Sequence, residues 1–218
     1  MRALTGNELR QAIRGRWLSR NEPVPIRGVS IDSRTAEADD VFIAVQGEHF
    51  DGHDYLADAA RAGCVSAVVD LKHRLDQEFM RQFPAGVIGV SDTRNALLDL
   101  GAYYRTVIPA TVIGVTGSNG KTTVKRMINH ILRMRLTGTC SPKSFNNEIG
   151  VPLTLLSAGG GGDYVICEIG SSAPGEIMRL ARAVKPNIPV ITNIGPAHLE
   201  CLMTLEQIAV EKSSLLGW

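Results

Sequence analysis

The stretch from Gly114 to Val124 constrains the fold of this chain more than any other. It reads Gly-Val-Thr-Gly-Ser-Asn-Gly-Lys-Thr-Thr-Val and follows a short apolar run that begins at Thr111. Gly117 and Gly120 remove side chains from a turn, and a helix is predicted over 121–132. A strand, a glycine-rich turn and a helix start form an anion site, because free backbone N–H groups and the positive end of the helix dipole converge there.

This order of elements predicts a phosphate-binding loop with defined residue roles. Lys121 can reach the β and γ phosphates of a nucleotide, and the Thr122 hydroxyl can ligate magnesium. The predicted nucleotide-binding residues are Gly117, Ser118, Asn119, Gly120, Lys121, Thr122 and Thr123. The usual pattern G-x-x-x-x-G-K-[ST] is not fully matched, since Val115 stands where its first glycine is expected. A glycine-rich turn with a surface lysine is the alternative interpretation.

Composition narrows the class of partner. The 218 residues suffice for one large or two small domains, and 23 Lys plus Arg nearly balance 22 Asp plus Glu. No broad basic field is present, and aromatic residues make up only 5% of the chain. We therefore expect a small-molecule ligand and no nucleic acid.

The cellular location is predicted from the absence of long apolar segments in the sequence. The first residues carry no signal-peptide core, and no run approaches the roughly 18 apolar residues of a membrane span. We expect a cytoplasmic protein with no membrane insertion. The cysteines show no zinc-type spacing, so free, buried thiols are expected. They are Cys64, Cys140, Cys167 and Cys201.

The residues before Pro109 predict a small α/β unit. Thr5 and Glu8 have the spacing of a capping box for a helix reaching about Arg14. Strands are predicted over 29–32, 41–45, 67–70 and 87–90, and helices over 54–62 and 92–105. Two polar loops, 33–40 and 47–53, are either solvated turns or a site for a polar ligand.

The residues from Pro109 onward predict a second α/β unit around the phosphate-binding loop. Its predicted strands are 111–115, 136–139, 164–168 and 189–194. Two later helices are predicted, one that ends near Val184 and one over 205–216. Glu168 ends an apolar strand, at the sheet edge where ligands of parallel sheets bind, and can hold magnesium. Capping of the next loop is the alternative role. His198 follows another strand at this edge, whereas Lys212 lies on a helix where lysine is usually solvated.

Several strings together are similar to those of the Mur ligases. They are T-G-S-N-G-K-T-T, which the folylpolyglutamate ligases share, N-N-E-I-G-V-P-L-T-L-L from Asn146, I-T-N-I-G-P-A-H-L-E from Ile191, and Asp32-Ser-Arg34. The resemblance implies ATP as the nucleotide and an α/β fold. A small N-terminal uridine-nucleotide-binding domain, 1–108, would precede a P-loop domain with a mostly parallel sheet, 109–218.

The resemblance also implies site residues beyond the loop. Ser33, Arg34, Gly47, Asn146 and Asn147 would bind substrate. Thr122, Glu168, His198 and a carbamylated Lys212 would surround the metal positions, and Lys121, His198 and Lys212 would be catalytic. One departure is Cys201-Leu-Met203, where the family has a glycine-containing turn.

The implied reaction joins D-alanyl-D-alanine to UDP-N-acetylmuramoyl-tripeptide by way of an acyl phosphate, with ATP and Mg²⁺, in a monomer. A non-catalytic remnant of such a ligase and a P-loop kinase or GTPase are the alternatives. Because the chain stops just past the matched lysine, a truncated central domain and an absent C-terminal domain are expected. These 218 residues alone would then bind nucleotide without completing the ligation.

Overall fold

The structure is a computed structural model that describes residues 1–47, 49–196 and 204–218. It contains two compact units, Met1–Leu100 and Gly101–Trp218. Each is built on a sheet with parallel strands, which confirms the predicted α/β class. The division falls within one helix, so the predicted domain boundary at Pro109 stays a prediction.

The first unit is a five-stranded sheet with helices. Strand order is β1-β5-β4-β3-β2, and only β1 runs antiparallel to its neighbour. Its elements are α1 (Gly6–Ala12), β1 (Arg16–Ser19), β2 (Gly28–Ser30), β3 (Asp40–Ile43), a 3₁₀ turn (Gly52–Tyr55), α2 (Leu56–Arg61), β4 (Ser66–Asp70), α3 (Gln77–Met80), β5 (Gly86–Val90) and α4 (Thr93–Val107).

Local chemistry explains how this unit is built. Thr5 and Glu8 form the predicted capping box, since the threonine hydroxyl accepts from the Glu8 N–H and the Glu8 carboxylate accepts from the Thr5 N–H. Between the sheet and α2, Phe42, Leu56 and Phe83 are buried in one apolar cluster. Strands β3, β4 and β5 are buried along most of their length, as expected of parallel strands covered by helices.

The second unit is a four-stranded parallel sheet in the order β7-β8-β6-β9. Its elements are β6 (Thr111–Thr116), α5 (Lys121–Leu132), β7 (Gly138–Cys140), α6 (Gly150–Leu156), β8 (Tyr164–Glu168), α7 (Glu176–Val184), β9 (Ile188–Ile191), α8 (Leu205–Ser213) and a 3₁₀ turn (Ser214–Leu216). The ends of β6, β8 and β9 lie along one edge, so residues following these strands come together there.

Helix α5 is held to this sheet by its apolar stripe. Val124, Ile128 and Leu132, at i, i+4 and i+8, pack against a cluster that includes Val115 and Ile166. The helix begins directly after the turn that follows β6, and its bounds are those predicted from the sequence.

Three elements were missed by the sequence analysis. Strand β1 is a short edge strand without clear alternation, and α3 is a single turn. Helix α6 lies within the string N-N-E-I-G-V-P-L-T-L-L, for which no helix was predicted. The Asn147 side-chain oxygen accepts from the N–H groups of Ile149 and Gly150, so this asparagine stabilises the start of the helix. Strand β9 also ends earlier than predicted, at Ile191.

No helix in the described part of the chain combines the length and apolar character needed to span a bilayer. Three of the cysteines are free, as predicted: Cys64 and Cys167 are buried and Cys140 is half-buried. Cys201 lies outside the described residues.

Candidate functional site

The loop between β6 and α5 requires both of its glycines. Gly117 has φ 144° and Gly120 has φ 77°, and both values favour glycine. A Cβ atom at Gly117 would also lie 2.0 Å from Thr192 Oγ1. A larger residue at Gly117 would require the loop to shift, whereas at Gly120 the constraint is the backbone angle, since nothing lies within 4 Å of a Cβ placed there.

The segment after β9 holds this loop in place. Thr192 Oγ1 donates to the Asn119 carbonyl at 2.6 Å, and the Asn119 N–H donates to Asn193 Oδ1 at 2.9 Å. Ser118 Oγ donates to the Gly195 carbonyl at 2.7 Å. Thr192 and Asn193 were not predicted as site residues, although a polar Thr-Asn pair directly after an apolar strand was a signal for them.

Lys121 folds back over the loop. Its Nζ donates to the Gly117 carbonyl at 2.6 Å and to the Ser118 carbonyl at 3.3 Å. Burial lowers the pKa of the Lys121 amine below its ordinary value, and the nearby Glu168 carboxylate opposes this effect. No side chain among the described residues caps the start of α5. The helix N-terminus and the ammonium are therefore both placed to meet an anion.

Glu168 is the acidic centre of the site. At the end of β8 it is only 1% exposed, and its Oε2 accepts from Thr122 Oγ1 at 2.9 Å and lies 2.7 Å from Lys125 Nζ. Its Oε1 accepts from Asn146 Nδ2 at 3.2 Å. The predicted neighbours Thr122, Asn146 and Glu168 thus lie together, and Lys125 joins them as a residue that the sequence analysis missed.

The oxygen atoms of Glu168 and Thr122 fit a magnesium ion that is bound together with a nucleotide. Mg²⁺ takes hard oxygen ligands, usually one or two carboxylates, waters and phosphates. Glu168 and the Thr122 hydroxyl supply such oxygens beside the loop. The part of the chain that the structure describes holds no cluster of three or more acidic, histidine or cysteine ligands. His198 lies outside the described residues.

Lys212 is buried, contrary to the usual state of a lysine on a helix. Its side chain is 1% exposed, and its Nζ donates to Ser171 Oγ at 2.7 Å. Burial lowers the pKa of the Lys212 amine, and the positive charge of Lys121 lowers it further. Ser171 was not predicted. A lysine with more of its amine in the neutral form than an exposed lysine is chemically suited to form a carbamate.

Glu211, the residue before Lys212, connects α8 to the start of α7. Its carboxylate accepts from the Gly175 N–H at 2.7 Å and from the Ile177 N–H at 2.8 Å. These donors are at the positive end of α7, where a carboxylate is favourable. Adjacent residues of α8 therefore both bind the turn over 170–177, which fixes the Lys212 amine in place.

A cavity of about 310 Å³ opens beside these groups. Lys121, Asn146 and Asn147 line it, together with Arg179, which donates to Glu148 at 2.9 Å. The Asn147 oxygen caps α6, so its structural role is clear, while its side chain also faces the cavity. Thr123, by contrast, is exposed, in a groove along α5.

The first unit contains a separate cavity of about 440 Å³. Ser33 and Arg34 line it with the aromatic side chains of Phe50 and Tyr55. Arg34 Nε and Nη2 donate to the Asp32 carboxylate at 2.9 and 2.6 Å. This pairing lowers the pKa of Asp32, chiefly through the side-chain hydrogen bonds from Arg34. The Arg34 side chain remains 85% exposed, so its Nη1 edge is accessible to a ligand.

Gly47 does not join Ser33 and Arg34 in that cavity. It lines another one, of about 370 Å³, with His53 and Arg94. The Gly47 N–H donates to the Phe50 carbonyl at 2.7 Å, which closes the turn that carries Phe50. The predicted substrate contact of Gly47 stays a prediction.

The buried cysteines are unsuited to nucleophilic chemistry. Burial raises the pKa of the Cys64 and Cys167 thiols to about 12. The thiolate is the reactive form, so these residues are packing elements.

A parallel sheet with a glycine loop, a lysine at the start of the following helix and an acid at the end of the adjacent strand defines a P-loop nucleotide-binding fold. Two family models match the chain: "Mur ligase family, catalytic domain" over residues 25–105 and "Mur ligase middle domain" over 115–218. The chain belongs to the Mur ligase family.

Several of the similar proteins carry the name of a D-alanyl-D-alanine ligase. The UDP-N-acetylmuramoyl-tripeptide--D-alanyl-D-alanine ligase of Treponema pallidum is 38% identical over 87% of this chain. The structure of MurF from Acinetobacter baumannii has a TM-score of 0.87 and 35% identity over 99% of this chain and 46% of that one. MurF ligase from Thermotoga maritima, solved with ADP, has a TM-score of 0.75 and 31% identity, covering 87% and 42%. This chain spans about 42% of the length of the Treponema relative.

Proposed function

We propose that this chain supplies the UDP-precursor-binding and ATP-binding parts of a ligase that adds D-alanyl-D-alanine to UDP-N-acetylmuramoyl-tripeptide. The observation that carries the proposal is the convergence of Lys121, Thr122 and Glu168 at one sheet edge, in a chain whose relatives bear that activity. Residues 1–108 would bind the UDP end of the substrate, and residues 109–218 would bind ATP.

The proposed ligation depends on neutralising the charge of the phosphates and on positioning the substrates, and it needs no side-chain nucleophile. The substrate carboxylate attacks the γ-phosphate of ATP, ADP leaves, and the acyl phosphate is attacked by the amine of the dipeptide with loss of phosphate. Lys121 and the α5 N-terminus stabilise the negative charge on the transferring group. Glu168 and Thr122 would hold Mg²⁺, which screens the phosphates when bound. Lys212, as a carbamate, and His198 would supply further ligands to the metal.

The alternative of a P-loop kinase or GTPase explains the loop but not the cavity at Ser33 and Arg34. A non-catalytic remnant would keep both sites. Binding of the UDP precursor separates the proposed ligase from the kinase, and turnover separates it from the remnant.

Titration calorimetry with UDP-N-acetylmuramoyl-tripeptide tests the proposal. We expect binding that UDP competes away, and about tenfold weaker binding for Arg34→Lys, because an ammonium keeps the charge but cannot present the planar fork of a guanidinium to a phosphate. Arg27→Lys is the matched control, since Arg27 is an exposed arginine of the same unit that pairs with Asp39. If ATP binds but neither UDP nor the precursor does, the ligase assignment fails in favour of the kinase.

Carbamylation of Lys212 is a second expectation. Its lowered pKa leaves more neutral amine at a given pH, and only the neutral amine reacts with carbon dioxide. With ¹³C-bicarbonate, we expect a carbamate signal in NMR spectra that fades as the pH falls through the pKa of the amine. The signal should be absent in Lys212→Ala and retained in Lys72→Ala, which removes an exposed lysine. An identical spectrum for Lys212→Ala would contradict this role.

A further inference from the structure

Lys125 is a buried charge to which the proposed function gives no role. It lies one turn after Lys121 on α5, and its side chain is 1% exposed. Burying an ammonium is unfavourable unless a partner compensates for the lost hydration. The compensation comes from the Glu168 carboxylate, 2.7 Å away and equally buried. The sheet edge therefore contains an internal ion pair directly behind the phosphate loop.

The ammonium of Lys125 also donates to the backbone carbonyl of Lys143. Lys143 has φ 45°, in the left-handed region that is unfavourable for a residue with a side chain. This second contact holds Lys125 on the side of Glu168 that faces the 141–147 loop. The amine is thus fixed from two directions and is not free to turn toward a nucleotide.

The hydrogen bonds of Glu168 limit where a cation can bind. Each carboxylate oxygen has about two acceptor positions. Oε2 uses both, for Lys125 and Thr122, whereas Oε1 uses one, for Asn146. A divalent cation that contacts Oε2 must displace the ammonium or the hydroxyl, and a cation at Oε1 remains within range of the positive charge of Lys125.

We propose that Lys125 is a positioning residue that acts as the resident countercharge of Glu168 and weakens divalent-cation binding in the nucleotide-free chain. The metal then enters mainly with the nucleotide, whose phosphates supply the missing ligands. This inference rests on the proposed role of Glu168 toward magnesium. It predicts that the positive charge of Lys125, more than its shape, sets the cation affinity.

The test is the affinity of the nucleotide-free chain for Mn²⁺, measured from the electron paramagnetic resonance signal of the free ion. Lys125→Met keeps the length of the side chain and removes its charge. We expect Mn²⁺ to bind about tenfold or more tightly to this variant than to the wild type, because a like charge has been taken away from the cation site. Glu168→Gln combined with Lys125→Met should abolish the gain.

Arg126→Met is the matched control, since Arg126 is the next residue of α5 but is exposed. It changes the net charge equally and should leave Mn²⁺ affinity as in the wild type. Thermal unfolding with and without Mn²⁺ covers the case of a destabilised variant, because a ligand that binds the folded state raises its midpoint. Mn²⁺ should raise the midpoint of Lys125→Met more than that of the wild type.

The inference is overturned if Lys125→Met binds Mn²⁺ no more tightly than the wild type, if its unfolding midpoint does not respond to Mn²⁺, or if the gain survives Glu168→Gln. Binding of Mg-ATP to the wild type is measured in parallel. Its absence would defeat the proposed function, whereas Mg-ATP binding without the Mn²⁺ effect would defeat only the role of Lys125.

Discussion

Replacing Lys121 by alanine is expected to weaken ATP binding by about 10- to 150-fold, since hydrogen bonds to a charged group contribute roughly 1.5–3 kcal/mol. The Lys121 amine lies against the loop carbonyls, and a bound phosphate would exchange these neutral acceptors for anionic ones. Burial lowers the pKa of this amine, so the amine loses its charge at a lower pH than an exposed lysine does as the pH rises. Its contribution to ATP binding should therefore be lost at that lower pH. Titration calorimetry at several pH values measures both effects.

Two comparisons show whether the loss comes from phosphate contact. Arg126→Ala removes an exposed positive charge from the same helix and should leave ATP affinity almost unchanged. AMP has neither a β nor a γ phosphate, so its weaker binding should be insensitive to Lys121→Ala. Equal ATP affinity in Lys121→Ala and the wild type would show that the lysine is not a phosphate ligand.

Breaking the Lys125–Glu168 pair is expected to reduce the free energy of unfolding of the second unit by about 3–5 kcal/mol, because either single substitution leaves a buried charge without its partner. The double variant Lys125→Met/Glu168→Gln should recover much of that loss. Thr122 and Asn146 donate to different oxygens of Glu168, so the single amide oxygen of the glutamine keeps one of these donors in either orientation.

Urea denaturation in a double-mutant cycle measures the coupling. Each compact unit has one tryptophan, Trp17 and Trp218. In a Trp17→Phe background, fluorescence therefore reports on the second unit alone. Additive losses from the two single substitutions would mean that the charges do not depend on one another in the folded chain.

Elements whose structure depends on short-range chemistry could be predicted from the sequence. The helix over 121–132 has the predicted bounds because Gly120 starts it and an apolar stripe holds it to the sheet. The strand 164–168 is likewise as predicted, and it brings Glu168 to Thr122. Glu168 meets Thr122 because the parallel strands β6 and β8 are paired and end at the same edge of the sheet.

The missed features depend on contacts between distant parts of the chain. The helix position of Lys212 alone favoured a solvated side chain, whereas the resemblance implied a residue beside the metal positions. The structure buries it against Ser171, which comes from another turn, and this partner was not predicted. Lys125 did leave a signal: it is three residues before Ile128 and seven before Leu132, so it lies next to the buried stripe of α5. A buried ammonium at this position requires a buried partner of opposite charge. Nothing in the local sequence identified Glu168 as that partner.

In the first unit, the resemblance grouped Gly47 with Ser33 and Arg34, but the structure separates them. The reason is the turn closed by the Gly47 N–H and the Phe50 carbonyl, which directs Phe50 toward the cavity and leaves Gly47 outside it. Turn geometry of this kind depends on backbone angles that residue types alone do not determine.

The loop from Gly117 to Thr123 is proposed to bind ATP with magnesium. Amide chemical-shift mapping of the ¹⁵N-labelled chain during titration with a non-hydrolysable ATP analogue and Mg²⁺ locates the bound nucleotide. We expect the largest shifts at Gly117–Thr123 and at Glu168, with little change at Ser33 and Arg34. Saturable binding that leaves the Gly117–Thr123 amides unshifted would contradict it.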